Sequence, residues 1–119
     1  MRQGFVQEAL LTMDPEADTG APGAAVTREL CGHWEHEPPC PLSPHHSSVE
    51  RIANEVRVRV LFAVEPELES EIRQRIDRAL SIGHLTGPEG GSARWHLVNS
   101  TRSTVLPAET EHVQRLTQS

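Results

Sequence analysis

The chain has 119 residues, a net charge of -6, a hydrophobic content of 36% and only four aromatics, two Phe and two Trp. That size and content suit one small domain with a thin core, where a bound metal or crosslink adds stability that burial alone does not supply. All eleven basic residues are arginine, which excludes lysine Schiff-base chemistry and a lysine-bearing phosphate loop, and the acidic balance argues against bulk nucleic-acid binding.

No apolar run is long enough to span a bilayer, so no membrane partner is expected. Ala9-Leu10-Leu11 is too short for the core of a signal peptide, which points to the cytoplasm. In that reducing compartment two nearby cysteines are more often metal ligands than a disulfide.

Residues 1–12 place Phe5, Val6, Ala9, Leu10 and Leu11 at a weak helical spacing, and Met13 reads as a second translation start. Residues 14–24 mix Pro, Gly, Ala and acids without periodicity. The expectation for 1–24 is therefore a flexible N-terminal extension and linker, with a single α+β domain over 25–119. Val26, Leu30 and Trp34 alternate with Thr27, Glu29 and His33, which predicts a short strand over 25–34 with Cys31 and His33 on one face. Pro38, Pro39, Pro41 and Pro44 then argue against regular structure from Glu37 to His46.

The clearest element follows. Val56, Val58, Val60, Phe62 and Val64 alternate with Arg57, Arg59, Leu61 and Ala63, the pattern of a strand near the middle of a sheet. Pro66 opens a helix that carries Leu68, Ile72, Ile76, Ala79 and Leu80 at helical spacing and stops at Gly83. Its glutamates come first and its arginines later, which compensates the helix dipole before it suggests any binding surface. A glycine-rich loop leads to a strand over 94–99, then a turn, a short strand at 104–106, and a final helix from Pro107. The fold class expected is α+β: a small mixed or antiparallel sheet of three to four strands, two helices packed on one face, and a Pro/His/Cys-rich metal-binding loop, in the order β-loop-β-α-β-α.

The chemistry concentrates in residues 31–46, which hold both cysteines and four of the seven histidines. Thiolate and imidazole donors suit a four-coordinate zinc ion, and copper(I) accepts the same donors. The preferred ligand set is Cys31, His36, Cys40 and His45, with His33 and His46 as substitutes. Adjacent His45 and His46 need sharply opposed directions to serve one ion together. The Cys-x8-Cys spacing matches no common zinc-finger pattern, so ligand density carries the reading. The plainer alternatives are cysteines packed as small hydrophobes beside solvated histidines, or a Cys31–Cys40 disulfide.

A cysteine nucleophile lacks a third, orienting group in this stretch. Glu35 and Glu37 read first as solvated acids and second as partners of an imidazole or a metal-bound water. Trp34 reads as a core anchor, and His84, His96 and His112 as scattered surface or half-buried residues. The function expected is a small soluble zinc-binding domain that acts as an interaction module, toward a protein partner or a second copy of itself. The alternatives are a zinc-dependent hydrolytic enzyme with an open coordination position, and a metal sensor or buffer. The non-enzymatic reading is preferred because a site made by local folding suits a staple better than an active centre.

Overall fold

In chain order the elements are β1 (Gln3–Met13), α1 (Ala21–Cys31), β2 (His45–Ile52), β3 (Glu55–Val64), α2 (Glu69–Ile82), β4 (His84–Thr86), β5 (Ser92–Ser103) and α3 (Thr110–Thr117). Short 3-10 turns, Pro66–Leu68 and Pro107–Glu109, lead into α2 and α3. They come from a computed structural model that describes residues 1–31, 43–86 and 92–118.

The sheet order is β2-β3-β1-β5-β4, and every neighbouring pair is antiparallel. β1 and β2 therefore run the same way with β3 between them, and β3 and β5 run the same way with β1 between them. These are two interlocked split β-α-β units, with α1 and α2 as the crossovers. Both crossover helices cover one face. Ala25, Val26 and Leu30 of α1 and Ile72, Ile76 and Leu80 of α2 join Ala9 and Leu11 of β1 and the Val56-to-Val64 face of β3 in one core.

The strand and helix predicted from Val56 to Ile82 hold, with the alternation as expected: Val60 and Phe62 enter the main core, and Leu61 the opposite face. On that opposite face α3 sets Val113 against Val6 and Leu61. Gly4 makes room for it, because a Cβ there would fall 2.0 Å from Val113 Cγ1. Gly83 ends α2 at φ 79 and accepts a hydrogen bond from the Trp95 N–H, which ties the helix end to β5.

Several expectations change. Residues 1–24 are not a flexible extension and linker: they hold the central strand and the first turn of α1. β1 was hidden by Gln7, a polar residue at an inward position of the alternation Phe5, Gln7, Ala9, Leu11, Met13. Residues 25–31 are helix rather than strand, because the four-residue step from Val26 to Leu30 fits a 3.6 period better than a period of two. His45 and His46 begin a strand despite the prolines before them, and β5 runs on to Ser103 where a turn was expected. Residues 104–106 form no strand. Among the described residues the sheet thus has five strands rather than three or four. The described residues form three α-helices, and the two that the sequence predicts, α2 and α3, lie on opposite faces rather than on one.

Gln7 is inward because it serves a buried polar network. Its side-chain amide donates to Ser100 Oγ at 2.7 Å and to Asp77 Oδ1 at 3.3 Å, and its carbonyl oxygen accepts from Arg73 at 2.6 Å. Arg73, 8% exposed, also donates to the Val6 carbonyl and to Glu69, and its guanidinium lies over the rings of Phe5 and Phe62. The inward polar groups of this cluster thus bond to one another and to the backbone, as a buried network requires.

The reverse face has its own charged anchor. Arg59 of β3 donates to both carboxylate oxygens of Glu109, to Ser103 Oγ and to the Thr104 carbonyl, and pairs with Glu8. The Arg59 hydrogen bond, opposed by burial and helped by the Leu106 N–H, holds the Glu109 carboxyl below its usual value of 4.5. A carboxylate with a depressed folded pKa stabilises the fold above its unfolded pKa, and that contribution is lost as pH falls through the folded value. The expected result is a Glu109→Gln variant whose stability falls less steeply than the parent's between about pH 5 and pH 3, read by urea denaturation. Parallel acid limbs for the two proteins would contradict the assignment.

Candidate metal centre

The Cys/His stretch begins at the end of α1 and returns through Ser43 and Pro44 into β2, so both of its ends are rooted in the fold. Ser43 is fully buried, and its hydroxyl donates to the Ala63 carbonyl at 2.7 Å. The Ala63 N–H in turn donates to the Pro44 carbonyl at 3.0 Å, which carries the β3 pairing one step beyond β2. The His33, His36 and Cys40 positions and the Cys31 side chain lie outside the described residues, as do Trp34, Glu35 and Glu37.

His45 and His46 are described, and strand alternation sends them to opposite faces. His45 is paired with Phe62 and faces α1. Its Nδ1 lies 3.0 Å from the Ser43 carbonyl oxygen and its Nε2 2.9 Å from Thr27 Oγ1. A carbonyl oxygen only accepts, so Nδ1 carries the proton, and in the neutral ring Nε2 is the lone-pair nitrogen, directed at the Thr27 hydroxyl. The Nδ1 contact is the kind that orients a ligating histidine. The lone pair reaches a metal, however, only if Thr27 gives up its hydrogen bond.

His46 is paired with Leu61 and faces α3, where its ring meets that of His112 with centroids 4.3 Å apart and planes at 43°. Burial, and secondarily the neighbouring charge of His112, lower the His46 pKa from the usual 6.5. The ring is therefore held toward its neutral form, the form that binds metals. His112, expected to be a scattered surface or half-buried residue, is half-buried beside it. Only the packing of α3 on the β1 and β3 face of the sheet brings it beside His46, since no sequence spacing links two residues so far apart in the chain.

A hollow of about 340 Å³ opens between the start of α1 and β2, bordered by Gly20, Gly23, Thr27, His45 and Ser47. Ser47 Oγ is buried beside it with no hydrogen-bond partner among the described residues. A second hollow, of about 430 Å³, lies between α1, α2 and β4 and is edged by Arg28, Glu29 and His84. Glu29 there already lies 3.7 Å from Arg75 and 3.6 Å from Arg78. Among the described residues no three His, Cys, Asp or Glu side chains converge on one point, and no helix is long and apolar enough to cross a membrane.

Comparison of the chain with protein-family models, with curated proteins and with solved structures found no match in any of the three. The fold and the local chemistry therefore carry the functional reading.

Proposed function

We propose that the chain is a metal-binding interaction module in which residues 31–46 take up zinc. The observation that carries this reading is the concentration of two thiols and four imidazoles in that stretch. Its rooted ends support it: α1 closes at Cys31, and Ser43, Pro44 and His45 are each held by β3 or α1. A metal in a crossover connection clips α1 to β2 by a second route besides the sheet. In a chain with four aromatics, that contribution is large relative to the core.

The ligands proposed are Cys31 and Cys40 with two of the imidazoles. His46 ranks above His45 because the His45 lone pair is already engaged by Thr27. Copper(I) is the competing occupant, since it takes the same donors. The stapled unit presents its surface to a protein partner or to a second copy.

Chelation tests this reading. The zinc-loaded protein is expected to lose several degrees of melting temperature when treated with a strong chelator and to regain them with added zinc. A metal-free preparation with an unchanged melting curve would sink the proposal.

A further inference from the structure

The β2 edge of the sheet offers a definite seat for an interaction. The Ala63 N–H donates to the Pro44 carbonyl, and the β2–β3 register sets those two residues opposite one another. In an antiparallel ladder both backbone groups of a bonded residue turn to the same neighbour, and those of the next residue turn away. His46, Ser48, Glu50 and Ile52 therefore bond to β3, while Ser47, Val49 and Arg51 turn their N–H and C=O groups outward. We infer that this edge pairs antiparallel with β2 of a second copy about a two-fold axis at Val49, which joins two five-stranded sheets into one. The inference rests on the interaction-module part of the reading above and names its partner; the metal has no part in it.

Sheet edges are normally blunted by short strands, bulges, prolines or lysines. The opposite edge, β4, has only three residues. β2 runs for eight, from His45 to Ile52, with no proline or lysine and an unbroken register against β3. Val49 is 41% exposed and Ile52 66%. Among the described residues, the outward groups of Ser47, Val49 and Arg51 meet no backbone partner. The hollow between α1 and β2 is bordered by Ser47 and Val49, which leaves room beside the strand.

A two-fold contact must be complementary to itself, and β2 is so in one register. With Val49 opposite Val49, Ser47 falls opposite Arg51, Ser48 opposite Glu50 and His46 opposite Ile52, each twice. All the outward groups of Ser47, Val49 and Arg51 are then paired, in about six backbone hydrogen bonds. The two valines meet on the α1 face. On the reverse face each Glu50 carboxylate accepts from a Ser48 hydroxyl, and each Ile52 gains an imidazole as neighbour. The Arg51 side chain is turned away, onto the Asp14 and Ala17 carbonyls, so no guanidinium stands at the seam. A slip of two residues in one direction sets Glu50 against Glu50, and the opposite slip leaves Ile52 beyond the paired strand.

The full chain is followed by sedimentation velocity on dilution from about 100 µM to about 1 µM, beside Val49→Pro and Ser48→Glu. At the upper concentration the parent is expected at twice the chain mass of 13.2 kDa. Val49→Pro removes an outward N–H and leaves the β3 ladder intact, and Ser48→Glu sets like charges opposite Glu50 on both sides of the axis. Both are expected to stay at the mass of a single chain throughout. If Val49→Pro fails to fold, Ser48→Glu, a change at an exposed position, decides. A parent that stays monomeric overturns the second copy as occupant and leaves the edge to a strand from another protein. A dimer unmoved by Ser48→Glu overturns the edge as its seat. The zinc content of the same samples after zinc loading keeps the two readings apart: a zinc-bound monomer overturns only the dimer, and a zinc-free dimer only the metal reading.

Discussion

Removal of residues 1–12, leaving a chain that begins at Met13, is expected to abolish folding. β1 is the middle strand of five, paired with β3 from Gln3 to Thr12 and with β5 from Val6 to Met13. Its loss leaves β3 and β5 without their shared partner and divides the sheet into two hairpins, neither of which is stable alone in water. Val6, Leu11 and Phe5 also leave the two cores, at about 1.5–3 kcal/mol each for full burial. With both hydrogen-bond ladders gone as well, the loss exceeds what a domain of this size holds in reserve, about 5–15 kcal/mol in total. The shortened chain should show no cooperative thermal transition by circular dichroism. A cooperative melt with the parent's sheet signal would show that β1 is dispensable.

Phe62→Ala is the point substitution with the largest expected cost, about 3–5 kcal/mol. Phe62 is fully buried, stacks at 5.6 Å on Phe5, and supports the Arg73 guanidinium at 5.3 Å. Truncation removes the ring and also one wall of the site in which a buried cation is held, so the cavity and the loosened polar network add to one another. The melting temperature should fall by roughly 10–20 °C, at about 4 °C per kcal/mol for a domain of this length. A drop of less than a few degrees would mean that the main core is not organised around this residue.

How far the fold was legible depended on whether a segment obeyed one rule or two. β3 obeys one: every second residue is apolar and β-branched or aromatic, and its partners follow the pleat. α2 likewise shows its apolar stripe, its opening proline and its closing glycine. β1 obeys two rules, since its inward positions include Gln7, placed there for Arg73, Asp77 and Ser100. The interruption turned a period of two into an apparent helix. β2 is polar because it is an edge strand, with Val49 and Ile52 left exposed, so its sequence carries little hydrophobic signal. α1 is ambiguous in the sequence because a four-residue step between apolar residues fits two periods of a strand as well as one turn of a helix.

The candidate site divides in the same way. Its donors were legible because six of them crowd into sixteen consecutive residues. Which of the adjacent histidines faces which side was not, because that depends on a strand hidden behind prolines. The register of β2 against β3 assigns His45 to Thr27 and His46 to His112. The Thr27 and His112 contacts are long-range, and no local pattern encodes them.

Zinc uptake in residues 31–46 is tested most directly by native mass spectrometry of the full chain at neutral pH after incubation with zinc and removal of the excess. The parent is expected to carry about one zinc per chain, and a protein with both Cys31→Ser and Cys40→Ser to carry none under the same conditions. A parent found at its metal-free mass, or a double-serine protein that keeps the parent's zinc, would contradict the account.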